Sequence, residues 1–107
     1  MVVALPNEEV YKVHVRVVRF TDVSADRIEA VLAQIKESEG PPPGVSTTRL
    51  QLLVDAEQGT AVVLQHFDTA DDMAAAARIF DAMDASDTPG TRASVDACEV
   101  RLDITPP

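Results

Sequence analysis

Basic residues are scarce in this chain, since nine Lys and Arg stand against eighteen Asp and Glu, for a formal net charge of −9. Nucleic acids and anionic membrane surfaces are bound through a basic footprint that neutralises their phosphates. The charge balance therefore argues against both, and we expect neither nucleic acid nor a membrane among the partners.

Cysteine and long apolar runs are also nearly missing. Cys98 is the only cysteine, so the chain forms no internal disulfide and nothing points to an oxidising compartment. No apolar run approaches the ~18 residues of a membrane span, and the first residues, which reach Pro6 without a basic start, do not match a secretory signal. We expect a cytoplasmic location.

Motifs that hold metals or phosphates are missing as well. The spacings HxxxH, CxxC and HExxH do not occur, and a metal site needs three or four ligands. There is no glycine-rich phosphate loop and no nucleophile elbow. We expect no metal and no cofactor, and the sequence assigns no catalytic residue.

What remains is the pattern of a small α+β domain. The length of 107 residues predicts one domain, at 10–105, after a loose leader at 1–9. Alternating apolar residues predict strands at 10–20, 45–54, 60–67 and 91–104, and helices follow the N-caps Ser24 and Thr69. The order β-α-β-β-α-β predicts a ferredoxin-like fold, with a four-stranded antiparallel sheet, strands one and three in its centre, and both helices on one face.

Both predicted helices carry one apolar stripe. The first ends before Gly40-Pro41-Pro42-Pro43-Gly44, which reads as a rigid loop or a stiff lid. In the second, we expect Phe80 to anchor the helix in the core. Its predicted buried stripe consists of Met73, Ala76, Ala77, Phe80 and Met83.

The strand at 60–67 is apolar on both of its faces, with Val63 and Phe67 on one and Val62 and Leu64 on the other. Two helices cover one face of the sheet, and an uncovered apolar patch is unusual on a soluble monomer. We therefore expect a second copy packed face to face, which makes a homodimer with a cavity between its sheets. The alternative is a monomer with a partly apolar open face.

Strand alternation predicts which polar side chains point into that inter-sheet space. An apolar lining with a few converging polar groups is typical of a small-molecule pocket. A one-residue bulge would reverse the assignment. The alternation selects Lys12, His14, Arg16, Arg49 and Gln51, and with His66 the ligand-pocket candidates are His14, Arg16, Arg49, Gln51 and His66.

Each candidate has a chemical and a structural interpretation. His14 and His66 lie on adjacent central strands and would serve as an acid/base pair near neutral pH, or as hydrogen-bonded imidazoles with a packing role. Arg16 and Arg49 would bind an anion bidentately, or form salt bridges with the surplus acids. Cys98 would act as a nucleophile with a histidine as its base, or as a buried, inert thiol, which is the expected state because it lies among apolar residues.

Four stretches together form a recognisable pattern: the hairpin Leu50–Phe67, the acidic turn Asp68–Asp72, the Ala-rich helix ending at Phe80–Met83, and the segment Arg92–Val100. In these stretches the chain resembles the dimeric α/β barrel superfamily, in particular its antibiotic-biosynthesis-monooxygenase-like branch. The resemblance implies a ferredoxin-like homodimer with a pocket between sheet and helices or between the two sheets. Some relatives oxidise polycyclic aromatic substrates without metal or flavin, and others bind or degrade haem. This chain lacks tryptophan and has no histidine on its second helix, so their catalytic residues do not carry over.

Two function hypotheses follow from the residues and the resemblance together. The first is a dimer that binds a small, largely apolar ligand, as a cofactor-independent monooxygenase-like protein. The second is a non-catalytic dimer that serves as a ligand sensor or a structural module. The sequence leaves enzymatic activity open.

Overall fold

The computed structural model describes residues 13–38, 40–82 and 88–106. In chain order the elements are β1 (His14–Thr21), α1 (Ala25–Glu37), β2 (Arg49–Asp55), β3 (Thr60–Phe67), α2 (Ala70–Asp81) and β4 (Thr91–Glu99). The sheet has the order β2-β3-β1-β4, and each neighbouring pair is antiparallel. The predicted ferredoxin-like α+β fold, with strands one and three in the centre, is confirmed.

The strand boundaries agree with the sequence pattern best where the chain is most apolar. β3 has the predicted bounds, whereas β2 begins at Arg49 and β4 ends at Glu99, short of the predicted residue 104. Among the described strands β4 pairs with β1 alone, and His14 opposite Glu99 is the last pair of that ladder. The predicted leader at 1–9, the first residues of the predicted strand 10–20, and Met83 lie outside the described residues.

Hydroxyl side chains cap both helices, as predicted. The Ser24 hydroxyl accepts a hydrogen bond from the Arg27 backbone N–H (3.2 Å), and the Thr69 hydroxyl accepts one from the Asp72 N–H (3.0 Å). Each bond satisfies one of the donors that the first turn of a helix leaves free. Neither helix is long and apolar enough to cross a bilayer within the described ranges.

Alternate residues of the strands define two faces of the sheet. Val18 and Phe20 of β1 lie beside Val63 and Ala61 of β3, on the side where both helices pack, and we call this the covered face. The other side is the open face. Its apolar members are Val15, Val17, Leu53, Val62 and Leu64.

Two core clusters of described residues lie on the covered face. One consists of Val18, Phe20 and Ala61, and the other joins Val45 and Phe67 to Ala76 of α2. The β1–β3 register runs unbroken from His14 to Phe20, so every second residue from His14 onward lies on the covered face.

A candidate ligand pocket beneath the helices

A pocket of about 820 Å³ lies between the covered face, the two helices and the proline-rich loop. Val18 and Val63 form part of its floor, Ile35 of α1 and Phe80 of α2 stand at its sides, and Pro41–Pro43 form a further wall. A size of roughly 300–1,000 Å³ and a mainly apolar lining are typical of small-molecule sites.

The end of the proline-rich loop packs closely against α2. Gly44 has a φ of +87°, which glycine adopts without strain, and a Cβ there would stand 2.9 Å from Cδ1 of Ile79. The Val45 N–H donates to the Pro42 carbonyl (3.1 Å), which closes the turn. The three prolines are thereby held against the pocket as a wall of limited backbone freedom.

Arg16 enters the pocket floor from the central strand β1. It is only 3% exposed, and its register partner on β3 is Gln65, which is 5% exposed. Nη1 of Arg16 donates to Oε1 of Gln65 (3.0 Å), and Nη2 donates to Oδ1 of Asp81 (3.3 Å). Phe80 stacks over the guanidinium, with Cζ 5.2 Å from the ring centroid, a cation–π geometry.

One donor of this guanidinium has no partner. Nε of Arg16 is buried and forms no hydrogen bond with any residue that the structure describes. Burial lowers the pKa of Arg16, and the neighbouring Asp81 opposes that shift. Arginine stays protonated at neutral pH, so the pocket floor carries a charged and incompletely paired group.

Asp81 joins this floor to the rim of the pocket. Its Oδ1 accepts from Nη2 of Arg92 at 2.8 Å, a shorter contact than the one from Arg16. Arg92 also lines a smaller adjoining pocket of about 320 Å³, together with Arg27 and Asp81. The carboxylate of Asp81 is half exposed, whereas Arg16 is buried.

The site residues that the sequence predicts do not line one common pocket, because they lie on opposite faces of the sheet. His14 and Arg16 lie on the covered face, and Arg49, Gln51 and His66 lie on the open face. The prediction that the first and second strands direct their polar residues to the same side is therefore wrong. Of the predicted candidates only Arg16 lines the pocket, and Lys12 lies outside the described residues.

The two histidines are separated by the sheet. His14 pairs with Phe67 and His66 pairs with Val15, so the imidazoles occupy opposite faces, and the predicted pair is wrong. Nε2 of His66 instead lies 3.0 Å from Oε1 of Gln51, across neighbouring strands on the open face. Antiparallel register places residues on a common face only at matching parity, which the separate strand patterns do not reveal.

Cys98 is exposed rather than buried, so the expected buried thiol is also wrong. It lies opposite Val15 on β4, which is an edge strand, and its side of the sheet is the open one. Within the ranges that the structure describes, no three His, Cys, Asp or Glu side chains gather to hold a metal ion.

The interpretation of the sequence missed three polar contributors to the site, Gln65, Asp81 and Arg92. Gln65 had a detectable signal, because it is the one polar residue on a parity otherwise formed by Ala61, Val63 and Phe67. A buried polar side chain requires a hydrogen-bond partner, which predicts a second polar group nearby. Asp81 and Arg92 had no such signal, because their contact depends on where α2 ends relative to β4.

Comparison with known proteins finds no matching family model, no matching curated protein and no matching solved structure.

Proposed function

We propose that this protein binds a small, largely apolar ligand in the pocket beneath its helices. The observation that carries the proposal is the pocket itself, which is lined mainly by aliphatic, aromatic and proline side chains above a buried arginine–glutamine pair. Apolar surface supplies the binding free energy, and a few fixed polar groups orient the ligand.

Binding, rather than a defined reaction, is the function that this lining supports. Its ionisable members among the described residues are Arg16 and Arg92, both cationic hydrogen-bond donors. Such groups hold a ligand in place, as in a sensor or a carrier. The monooxygenase-like chemistry of the resembling family is therefore not part of the proposal.

A tryptophan at Ile35 tests the pocket. Ile35 lines it from α1 and is 42% exposed, so the larger ring is accommodated without disturbing the core. We expect the Ile35→Trp variant to bind the neutral fluorescent probe N-phenyl-1-naphthylamine at least about tenfold more weakly, because the indole occupies the ligand's volume. Fluorescence titration measures the dissociation constant.

The matched control is Ala33→Trp, on the same helix but exposed and outside the pocket lining. It should bind the probe like the unmodified protein. Equal probe affinity in both variants, or no probe binding by the unmodified chain, would contradict the proposed pocket. Mass spectrometry of ligands that co-purify with the native protein then identifies the natural occupant.

We further propose that the protein is a homodimer joined through the open face. Val17, Val62 and Leu64 are only partly buried there and Leu53 is 51% exposed, while both helices pack on the opposite side. A contiguous apolar surface of this kind on a folded domain is typical of an interface.

A second copy of this chain fits the charges at the margins of the open face. Arg49 lies on that face at the β2 edge, and Asp96, opposite Val17, lies on it at the β4 edge. A two-fold axis parallel to the strands places the β2 edge of one copy over the β4 edge of the other. Opposite charges then meet on both sides of the apolar centre, as an isologous interface requires.

Neighbouring residues of β2 provide a sharp test. Leu53 (51% exposed) and Val54 (45% exposed) lie on opposite faces of the same strand. We expect light scattering to give twice the chain mass of 11.5 kDa for the unmodified protein and for Val54→Glu, and the single mass for Leu53→Glu. A monomeric unmodified protein, or a dimeric Leu53→Glu, would contradict the open-face dimer.

Two expectations from the sequence remain part of this proposal. Membership of the dimeric α/β barrel superfamily is supported by the strand order and by the position of both helices on one face. A cytoplasmic location is supported by the exposed thiol of the only cysteine, since a reducing compartment keeps such a thiol unpaired.

A further inference from the structure

The buried Nε–H of Arg16 needs a hydrogen-bond acceptor. A guanidinium has five N–H donors, and a buried donor without a partner is costly to the folded state. Here Nη1 donates to Gln65 and Nη2 to Asp81, whereas Nε has no hydrogen-bond partner in the described parts of the chain although the side chain is only 4% exposed. The orphaned donor belongs to a residue that lines the pocket.

The shape of the guanidinium narrows the class of acceptor. Nε–H and one N–H of Nη2 point in the same direction along one edge of the planar group, and their spacing matches the two oxygens of a carboxylate. The contact of Nη2 with Asp81 is long, at 3.3 Å, while Arg92 holds the same oxygen of Asp81 at 2.8 Å. Asp81 therefore keeps a charged partner when a second carboxylate takes the Nε edge of Arg16.

The local charge also fits an anion, although the whole chain is acidic with a formal charge of −9. Arg16 and Arg92 line the pocket, and the half-exposed Asp81 is the carboxylate that pairs with both. Among the residues that the structure describes here, two arginines face one carboxylate, which leaves one positive charge in excess next to the apolar wall of the pocket. Such a site favours a singly charged anion over a neutral ligand.

We infer that the ligand of this pocket is a monocarboxylic acid with an apolar body, an inference that rests on the proposed ligand-binding function. Its carboxylate accepts hydrogen bonds from Nε and Nη2 of Arg16. Its body lies against Val63, Ile35 and the proline wall. Because Nε has no solvent-exposed surface, the ring of Phe80, which stacks over the guanidinium, shifts as the acid enters.

Two probes of equal size and different charge test the inference on the unmodified full chain. Calorimetric titration with 2-naphthoate and with 2-naphthamide measures how much the carboxylate adds to the binding affinity. We expect the acid to bind at least about tenfold more tightly, as a charge-assisted bidentate contact predicts. In proton–nitrogen correlation spectra, the Nε–H signal of Arg16 should move downfield with the acid and stay in place with the amide.

A substitution at the half-exposed Asp81 tests the role of Arg16 without replacing the buried arginine itself. Asp81→Asn removes the carboxylate that competes for Nη2, so naphthoate affinity should rise by about two- to fivefold while naphthamide affinity stays constant. Asp71→Asn, an exposed position in the first turn of α2, changes the net charge equally and should leave both affinities unchanged.

The outcomes distinguish a failure of the carboxylate inference from a failure of the proposed ligand-binding function. If acid and amide bind equally, the pocket binds ligands but the carboxylate inference is wrong. If the acid binds more tightly while the Nε–H signal stays in place, or if Asp81→Asn behaves like Asp71→Asn, the acid binds away from Arg16 and the inference is wrong. If neither probe binds and N-phenyl-1-naphthylamine does not bind either, the proposed function fails as well.

Discussion

At the scale of single residues, Arg16 is buried on the covered face of the sheet. The sequence pattern predicts that it lines a space on the opposite face. Arg16 is held on the covered face by Gln65, by Asp81 and by the ring of Phe80. Burying a cation is costly unless it is paired, so these contacts offset much of the desolvation of the guanidinium. The same contacts leave the Nε–H without a partner among the described residues, so it remains available to a ligand.

Phe67 and Phe80 differ in their expected contribution to stability. Phe67 is 0% exposed, whereas Phe80, the expected anchor of α2, is partly buried and lines the pocket. We expect Phe67→Ala to lower the free energy of unfolding by ~3–5 kcal/mol, because it leaves a closed cavity. Phe80→Ala should cost less, because its site already adjoins open volume. Urea denaturation measures both, and equal costs would contradict this ranking.

The hairpin loop provides a pH-dependent contact. Oδ2 of Asp55 accepts from Nε2 of Gln58 (2.7 Å), and Oδ1 accepts from the Gln58 backbone N–H (3.2 Å). These hydrogen bonds favour the carboxylate and lower the pKa of Asp55. Their stabilising effect is therefore complete above the unfolded value of about 3.9 and is lost as the pH falls through the lower, folded pKa.

Carbon-13 titration of the Asp55 carboxyl tests this sign. Its pKa should lie below the ordinary aspartate value in the unmodified protein. In Gln58→Ala the side-chain donor is gone, so the pKa should rise towards that value. A pKa that does not change on this substitution would show that the side-chain bond does not hold in solution.

At the scale of elements, helix ends were the most predictable features. Thr69 caps α2 by accepting a hydrogen bond from the Asp72 N–H. The first turn also contains Asp71, whose negative charge interacts favourably with the positive end of the helix dipole. Thr69→Ala should lower the free energy of unfolding by ~1 kcal/mol, and Thr69→Ser, which keeps the hydroxyl, should cost much less. Thermal denaturation compares the two, and equal losses would mean that the hydroxyl is not the cap.

Gly90 shows a second element-level constraint, where the chain enters β4. A Cβ at this position would overlap the carbonyl oxygen of Thr21 and would stand 2.9 Å from Cγ2 of Val23. The backbone must therefore shift for any other residue. This close approach brings the start of β4 against the end of β1, which positions Arg92 at the rim of the pocket.

At the scale of the whole molecule, charge opposes the association of two copies. Each chain carries a formal charge of −9, so long-range repulsion accompanies the proposed contact between the open faces. Salt screens that repulsion, since the Debye length falls from about 30 Å at 0.01 M to about 8 Å at 0.15 M. The local pairing of Arg49 with Asp96 is a smaller effect of opposite sign.

We therefore expect the dissociation constant of the dimer to decrease when the salt concentration is raised from about 0.01 M to about 0.15 M. Sedimentation equilibrium at both ionic strengths measures it, with Val54→Glu as a dimeric control that should follow the same trend at a more negative charge. A dissociation constant that rises with salt would show that specific ion pairs, rather than net charge, govern the association.

The order of the elements, the two caps and the apolar character of both faces of β3 could all be predicted from the amino-acid pattern alone. These depend on neighbouring residues and on local periodicity, which are readable without knowing the partners of a strand. The polar residue Gln65 on the covered side of β3 was readable in the same way.

The amino-acid pattern did not predict which set of alternate β1 residues faces the helices, and the folded chain was needed to show it. That choice sets Arg16 and His14 apart from Arg49, Gln51 and His66 and creates the pocket on the helix side. It depends on the register between strands distant in sequence and on which apolar cluster, here Val18, Phe20 and Ala61, gains most from burial under the helices. Both are non-local quantities, so no pattern within a single strand encodes them.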